Sequence, residues 1–326
     1  MAKHKQTFSR HILEIQDVVG TVEQIVGKLR EDVNSRLQRN GAVVGISGGI
    51  DSSVTFALAV RAFGPESVLG IKLPEQDSSP DSLSLADQLV DKYGARTITE
   101  DMTSALKGFK CYSRRDEAVS TVFPDYDPKI HRFKIGIRQS SLKQNMPPVF
   151  SVTLVYPDGE EKSKLLPAKA YLQIVAASNF KQRSRMSMLY YHAERMHYAV
   201  VGTPNKHEVE QGFFVKFGDG GADVMPIAQL YKTQVYQLAE FLEIPRGIIA
   251  RTPTTDTYTA EQTQEEFFYQ LPFDLMDLFW YGWENGYSAG EVGSVMAFTE
   301  KEVENVYKSF ERKRKTTEYL RTTPIF

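Results

Sequence analysis

The sequence predicts an α/β fold in which helices cover both faces of a parallel sheet, a doubly wound arrangement. Two observations lead to this prediction. Short apolar runs alternate with stretches of helical periodicity, and a glycine-rich turn joins the first run to the helix that follows. Such alternation is typical of right-handed βαβ units around a parallel sheet. A third observation limits the part of the chain to which this prediction applies: the alternation stops over residues 109–169 and then resumes.

The first elements follow one another closely along the chain. Apolar residues at three- and four-residue steps predict an amphipathic helix that covers a core or a partner. Continuous apolar runs predict buried parallel strands. These patterns place a helix over residues 11–37, a strand over 42–46, a helix over 51–62, a strand over 67–73, a helix over 82–93 and a strand over 95–98.

Residues 109–169 are predicted to be an insertion in a single domain that spans residues 1–326. The segment contains six prolines and shows no helical period. A structureless loop of this length would be unusual in a compact domain. Within it, two runs flank a Pro-Asp-Gly turn and predict a β-hairpin over residues 149–156 and 160–166. The α/β pattern resumes with a helix over 170–196 and a strand over 198–202.

Composition excludes several classes of protein. The chain has 326 residues, of which 41% are hydrophobic, and its 39 basic and 41 acidic residues give a formal charge of −2. A disordered chain has less apolar content, and a nucleic-acid-binding surface needs an excess of Lys and Arg. No apolar run approaches the roughly 20 residues of a membrane span, and the N-terminus lacks a secretory signal. The lone Cys111 fits a reducing compartment, so we expect a cytoplasmic protein without nucleic-acid or membrane partners.

The turn after the first strand has the chemistry of a phosphate cradle. Its glycines let the backbone approach a ligand closely, and N–H groups at the start of the next helix attract negative charge. It is neither a Walker loop, which needs Gly-Lys-Ser/Thr, nor the Gly-x-Gly-x-x-Gly loop of dinucleotide folds. We expect nucleotide phosphates to bind along Gly45, Ile46, Ser47, Gly48, Gly49, Ile50, Asp51, Ser52 and Ser53.

Asp51 is unexpected beside phosphates, because its carboxylate repels them. A magnesium ion that bridges Asp51 and the phosphate oxygens would remove this repulsion, since Mg²⁺ typically combines one or two carboxylates with substrate phosphates. The alternative is that Asp51 only caps the helix. The loop by itself leaves both interpretations open.

Residues 47–52 (SGGIDS) resemble the signature loop of the ATP pyrophosphatase (PP-loop) superfamily. A second, ordered series narrows the resemblance to the ammonia-dependent NAD synthetases of the NAD synthase family. The series comprises residues 201–208 (VGTPNKHE), 212–223 (GFFVKFGDGGAD), 226–235 (PIAQLYKTQV) and 253–256 (PTTD). The resemblance covers residues 40–108 and 171–256 well, is weak in the basic C-terminus and is absent over 109–169.

The resemblance implies an adenine nucleotide alpha hydrolase-like, Rossmann-like fold and the activity of an amide ligase. In this family a carboxylate attacks the α-phosphorus of Mg-ATP, and ammonia then converts the acyl adenylate to an amide with release of AMP. The acid is deamido-NAD, the cofactor is Mg²⁺ and ATP is a co-substrate. The family works as a homodimer with substrate held across the interface, and the long N-terminal helix would suit such packing.

Individual roles follow from the matching positions. Asp51 and Glu208 match magnesium ligands, and Asp51, Lys232 and Thr254 match catalytic positions. Thr203, Lys232 and Thr254 join the loop around ATP. Contacts to the acid substrate match Asn179, Arg183, Lys216, Asp219, Asp223, Arg312 and Lys313. Where the family tends to show His-Lys, this chain has Arg-Lys at 312–313, which keeps the charge and leaves that contact undefined.

Three functions remain open at this point. The first is NAD synthesis; the second is the same chemistry on another carboxylic acid, which the insertion motivates. The third is a non-catalytic nucleotide-binding module, against which the retention of both Asp51 and Glu208 argues. Free ammonia is the expected nitrogen donor, because Cys111 has no partner for releasing ammonia from glutamine. The basic stretch 313–317 is expected either to close over phosphates or to form a frayed, solvated tail.

Overall fold

The computed structural model describes residues 6–137, 149–254, 258–260 and 262–325. Its α-helices are α1 (Val18–Arg30), α2 (Ile50–Phe63), α3 (Pro80–Tyr93), α4 (Thr103–Gly108), α5 (Cys111–Ser120), α6 (Ala168–Met196), α7 (Lys206–Gln211), α8 (Lys232–Phe241), α9 (Arg246–Ile249), α10 (Phe273–Glu284), α11 (Ala289–Met296), α12 (Glu300–Thr316) and α13 (Glu318–Arg321). Its strands are β1 (Ala42–Gly45), β2 (Val68–Lys72), β3 (Arg96–Thr99), β4 (Arg132–Ile137), β5 (Phe150–Val155), β6 (Glu161–Leu165) and β7 (Ala199–Val201). Across the described ranges, every helix is too short or too polar to cross a bilayer.

Four parallel strands form the central sheet in the order β3-β2-β1-β7. Val43 of β1 lies opposite Leu69 of β2 and Val200 of β7, and these three residues pack in one cluster with α6. Their neighbours Ala42 and Val44 pack instead with α1, α2 and α8. Because helices cover both faces of a parallel sheet, the predicted doubly wound α/β fold is confirmed.

The N-terminal helix begins later than the predicted span of residues 11–37, whereas its end agrees closely, because a π-helical turn, Glu31–Arg36, continues α1. It begins after Asp17, whose carboxylate caps α1 by accepting a hydrogen bond from Gly20 N at 2.8 Å. The apolar residues before the cap pack elsewhere, since Phe8 and Leu13 are buried among the C-terminal helices. The apolar face of α1 is buried against α2 and α8, so this helix covers the core.

The segment 109–169 contains a separate antiparallel sheet with the strand order β4-β5-β6. The predicted hairpin is confirmed, because Val155 of β5 pairs with Glu161 of β6 around a turn in which Gly159 has a φ of +87°. The sheet packs on α5 and α6 through a cluster of its own, which includes Phe133.

Helix α5 lies in residues 109–169, although the sequence there shows no helical period and did not predict this helix. The buried face of α5 combines Tyr112 and Val119 with Arg115, whose side chain is 1% exposed. Arg115 is ion-paired with Asp77, and its Nε donates to Asp116 Oδ1 at 2.9 Å. A charged residue at a core position hides the apolar periodicity from which a helix is predicted.

Helices α10, α11 and α12 enclose a further apolar cluster that contains Trp280 and Phe310, as well as Phe8 and Leu13. The basic stretch 313–317 lies at the end of α12, and Lys313 Nζ donates to the carbonyl oxygen of Phe268 at 2.8 Å. The stretch is therefore helical rather than frayed, residues 314–316 are exposed to solvent, and closure over phosphates stays a prediction.

Candidate active site

The glycine-rich loop leaves the carboxyl end of β1 and leads directly into α2. Gly48 adopts a φ of +72°, and a Cβ atom on it would lie 2.5 Å from the carbonyl oxygen of Ser82. Both features require glycine at this position. Gly49 is the N-cap residue of α2, so the first helical turn, with its N–H groups, follows at once.

Three serines hold the loop in shape. Ser52 Oγ and Ser53 Oγ both donate to the carbonyl oxygen of Gly49, at 3.1 and 2.7 Å. Ser47 Oγ lies 3.0 Å from Ser52 Oγ and accepts a hydrogen bond from Gly49 N at 3.3 Å. Ser53 is completely buried, so its hydroxyl supports the loop from behind, whereas Ser47 is exposed.

The loop borders a cleft of about 130 Å³. Eight of the predicted site residues line this cleft: Ser47, Gly49, Ile50, Asp51, Ser52, Thr203, Glu208 and Thr254. The lining does not include the predicted residues Gly45, Ile46, Gly48, Ser53 and Lys232. Five residues to which the sequence assigned no role complete the lining: Ile248, Arg251, Thr252, Pro253 and Gln264.

Asn205 connects the two acidic residues, although no role for it was predicted. It is fully buried and caps α7 by accepting hydrogen bonds from His207 N (2.9 Å) and Glu208 N (3.2 Å). Its Nδ2 donates to Asp51 Oδ1 at 3.1 Å, and its backbone N donates to Glu208 Oε2 at 3.0 Å. The Asn-x-x-Glu spacing of a capping box is the sequence signal that could have revealed it.

The two carboxylates and Lys232 form one electrostatic group. Burial and the neighbouring Asp51 raise the pKa of Glu208 to about 8, although Lys232 acts in the opposite direction. Desolvation opposes the charge on Lys232, but Asp51 and Glu208 outweigh it and raise the pKa of the ammonium. Lys232 Nζ is ion-paired with Asp51 Oδ2. The protein thus holds two acids and one ammonium together beside the cleft.

A buried hydrogen-bond network fixes the helix that carries Lys232. Asp277 of α10 accepts a hydrogen bond from Thr233 N at 2.7 Å in the first turn of α8. The same carboxylate lies 2.5 Å from His207 Nε2, and neither of these two side chains is exposed. Asp277 therefore ties α7 and α8, which begin within the matched stretches 201–208 and 226–235, to one position on α10.

The predicted contacts to the acid substrate form a second group on α6 and the loop that follows α7. Arg183 Nε of α6 donates to the carbonyl oxygen of Lys216 at 3.2 Å. Tyr190 OH of the same helix donates to Asp223 Oδ1 at 3.1 Å. Asp219 Oδ1 accepts from the backbone of its own loop, at Val215 N, at 2.7 Å. The structure thus brings Arg183 and Lys216 together and tethers Asp223 to the same helix.

The remaining predicted substrate contacts are more scattered. Asn179 lies half-buried on α6, and Lys216 Nζ donates to the carbonyl oxygens of Tyr319 (2.9 Å) and Thr322 (2.6 Å). Arg312 and Lys313 lie on α12, and neither lines the cleft. Burial lowers the pKa of Lys313 to about 7, and its ammonium faces backbone carbonyls.

The donor set beside the cleft suits magnesium. Asp51 and Glu208 supply two hard oxygen ligands, and their mutual repulsion, which raises the pKa of Glu208, would be relieved by a divalent cation. The described residues contain no group of three or more His, Cys, Asp or Glu side chains that could hold a metal ion by themselves. Such a site would therefore rely on phosphate and water oxygens for the rest of its coordination.

Comparisons with known proteins agree with this geometry. A sequence model of the family described as NAD synthase matches residues 21–124 and 152–324. An NH(3)-dependent NAD(+) synthetase from Mesorhizobium japonicum is 48% identical over 309 residues, which cover 95% of this chain and 96% of that protein. An NH(3)-dependent NAD(+) synthetase from Rhizobium meliloti is 45% identical over 322 residues, or 99% of this chain and 95% of that protein.

Solved structures support the fold. An NMN synthetase from Francisella tularensis superposes with a TM-score of 0.64 at 20% identity, covering 95% of this chain and 98% of that chain. An NH3-dependent NAD synthetase from Campylobacter jejuni, in complex with the nitrate ion, gives a TM-score of 0.61 at 19% identity, with 95% and 99% covered. With the family model matching most of its length and two full-length relatives above 40% identity, the chain belongs to the NAD synthase family.

Proposed function

We propose that this protein is an ammonia-dependent NAD(+) synthetase, which uses ATP to convert deamido-NAD to NAD. One observation carries the proposal: Asp51 and Glu208 line the same cleft as the glycine-rich loop. Two carboxylates beside a phosphate cradle suit Mg-ATP. The rhizobial relatives, which match almost the whole chain, support deamido-NAD as the acid.

The reaction has two steps. In the first, a carboxylate oxygen of deamido-NAD attacks the α-phosphorus of ATP; the bond to the β-phosphate oxygen breaks, and pyrophosphate leaves. In the second, the nitrogen of ammonia attacks the acyl carbon and the bond to the AMP oxygen breaks. AMP leaves with the electron pair, ammonia loses a proton, and the product carries an amide. Positioning and charge stabilisation are the main contributions of the protein.

The residues around the cleft divide these tasks. Asp51 and Glu208 would hold Mg²⁺, which, when bound, offsets the negative charge of the phosphates. Thr203 and Thr254 orient the nucleotide with their hydroxyl groups, and both line the cleft. Lys232 stabilises the charge that develops on the leaving pyrophosphate.

The acid substrate binds next to α6 in this proposal. Arg183 and Lys216 are both cationic, and Arg183 Nε contacts the backbone of Lys216, so the two residues suit the phosphates of a dinucleotide. The hydrogen bonds of Asp219 and Asp223 to backbone N–H groups fix the loop that carries Lys216. The group is completed by Asn179, Arg312 and Lys313.

Free ammonia is the proposed nitrogen donor. Burial raises the pKa of the Cys111 thiol, and its Sγ donates to the carbonyl oxygen of Ala177 at 3.1 Å. A buried thiol held in its protonated form is a poor nucleophile. Cys111 is therefore unsuited to release ammonia from glutamine, and its thiol form suits the cytoplasmic location that we propose.

We also propose that the chain forms a homodimer and that it is one catalytic domain, residues 1–326, with an insertion at residues 109–169. The dimer is proposed from the resemblance to the NAD synthase family, whose members hold substrate across a subunit interface. A monomer in sedimentation at micromolar concentration would contradict the dimer.

One assay tests the function. The protein is given Mg-ATP, ammonium and deamido-NAD, and the formation of NAD, AMP and pyrophosphate is measured; we expect all three in equal amounts. A parallel reaction with nicotinic acid mononucleotide tests another acid. AMP release with that acid but not with deamido-NAD would assign the same chemistry to a different substrate. No AMP from either acid would favour a non-catalytic nucleotide-binding module.

A further inference from the structure

The sheet of the insertion is joined to a segment outside it. Phe133 N of β4 donates to Thr259 Oγ1 at 2.8 Å, and Ala260 N donates to Phe133 O at 3.0 Å. On its other side Phe133 pairs with Leu154 of β5. Residues 259–260 therefore add hydrogen bonds at the open edge of β4, much as a short extra strand would.

Aromatic packing reinforces this junction. Tyr258 is 4% exposed and belongs to the apolar cluster of the insertion. Its ring centroid lies 5.7 Å from that of Phe133 and 5.6 Å from that of Phe267. The insertion thus holds this segment in two ways: it buries the ring of Tyr258, and it forms hydrogen bonds with residues 259–260.

The same segment leads to the nucleotide cleft in both chain directions. Thr254 and Gln264, which lie on either side of it in sequence, both line the cleft. Thr254 forms an antiparallel bridge with Thr263, and Gln264 N donates to Pro253 O at 3.0 Å. The two ends of the segment are therefore fastened together at the cleft, while residues 258–260 are fastened to β4.

A second contact joins the insertion to the other side of the cleft. Arg115 of α5 lies 5.4 Å from the ring centroid of Phe133 and is ion-paired with Asp77 in the loop that follows β2. That loop leads into α3, where Ser82 Oγ accepts a hydrogen bond at 3.0 Å from Arg251, which lines the cleft. The insertion thus contacts chain segments that lie next to residues of the cleft wall.

We propose that the insertion is a positioning element for ATP and that Thr259 is the positioning residue through which β4 acts. Because residues 258–260 are already held by β4 in the free protein, less conformational entropy is lost when ATP binds between Thr254 and Gln264, and the affinity for ATP is higher. The inference rests on the proposed function, because it takes ATP as the ligand of the cleft.

The test compares nucleotide affinity with substrate affinity in three variants. Thr259→Val keeps the shape of the side chain and removes the hydroxyl acceptor, whereas Thr259→Ser retains the hydroxyl. Thr153→Val is the matched control, because Thr153 Oγ1 lies 2.6 Å from Ser163 Oγ inside the same sheet, away from the junction. Calorimetry measures Mg-ATP binding, steady-state kinetics gives the KM for deamido-NAD, and thermal melting checks the fold.

We expect Thr259→Val to weaken Mg-ATP binding about three- to tenfold, the usual effect of one lost hydrogen bond. Thr259→Ser and Thr153→Val should stay within about twofold of wild type, and the KM for deamido-NAD should not change in any variant. If Thr259→Val folds and its affinity for ATP is unchanged, this inference is wrong, whereas the proposed function still holds. An equal loss in Thr153→Val would overturn it too, because the effect would then come from general stability.

Amide exchange of the unmodified protein provides a test that needs no variant. If the cleft and the insertion are coupled, Mg-ATP should slow exchange in peptides that contain residues 132–137, since such coupling is reciprocal. Unchanged exchange there, with ATP bound, would overturn the inference. Wild-type protein that fails to bind Mg-ATP at all would overturn the proposed function and this inference with it.

Discussion

The ammonium of Lys232 is ion-paired with the carboxylate of Asp51, although Lys232 is completely buried and Asp51 lines the cleft. Both Asp51 and Glu208 raise the pKa of this ammonium, so the pair of acids is partly neutralised in the free protein. A metal ion held by Asp51 would take over part of that neutralisation. We infer that ligand binding frees Lys232 to interact with the phosphates.

Asp51→Asn should lower turnover by about two orders of magnitude or more, the usual effect of losing one charge-stabilising group. The loss should persist at every magnesium concentration, because the amide cannot replace a carboxylate ligand. Pyrophosphate release measured across a magnesium series checks this. The control is Asp32→Asn, which removes a carboxylate paired with Lys28 and Arg36 on the protein surface. An unaffected rate in Asp51→Asn would remove the metal assignment.

Magnesium binding should strengthen as the pH rises towards 8. Burial and Asp51 raise the pKa of Glu208 to about 8 from a reference value of 4.5, so this carboxyl is largely protonated at pH 7 in the free protein. A metal ligand must be deprotonated, and binding therefore releases a proton. Calorimetry in two buffers with different ionisation enthalpies at pH 7 measures that proton. Glu208→Gln is the control and should release none.

The same pKa sets the contribution of Glu208 to stability. Between pH 4.5 and about 8 the native state binds more protons at this site than the unfolded chain does. The contribution of this group to stability is therefore fully present below pH 4.5 and is lost as the pH rises through 8. Identical pH dependence of urea unfolding in wild type and Glu208→Gln would contradict the shifted pKa.

Asp277→Asn should destabilise the protein by about 3 kcal/mol, because it disrupts a fully buried pair with His207 and a cap on α8. Urea unfolding followed by circular dichroism measures the change. Asp274→Asn, an exposed position in the first turn of the same helix, is the matched control and should have an effect below about 0.5 kcal/mol. A small change at Asp277 would mean that α8 is held in place by apolar packing alone.

The sequence was sufficient to predict those helices and strands whose apolar residues are also the residues that are buried. The strands of the central sheet and the hairpin at Gly159 could be predicted, because the pattern and the turn residue fix the backbone locally. Helix α5 could not, since Arg115 occupies a core position and is neutralised by Asp77 from a distant loop. The position of Lys232 behind Asp51 likewise depends on tertiary contacts that no local pattern reports.

Lys313, which does not line the cleft, provides a second test of how burial shifts the pKa of a charged side chain. Burial lowers its pKa from 10.5 to about 7, and its hydrogen bonds go to Phe268 O (2.8 Å), Tyr269 O (3.5 Å) and Gln211 Oε1 (3.5 Å). Between pH 7 and 10.5 the unfolded chain binds more protons at this site than the native state does, so stability contributed by this group rises with pH.

Lys313→Met should therefore remove a pH-dependent penalty that is fully present below pH 7 and disappears above pH 10.5. Urea unfolding at several pH values should show wild type gaining stability relative to the variant as the pH rises, by at most about 1.4 kcal/mol per pH unit. Lys315→Met, on the exposed surface of the same helix, should run parallel to wild type. If the Lys313→Met curve also runs parallel to wild type, the side chain of Lys313 is solvated rather than enclosed, and the lowered pKa is wrong.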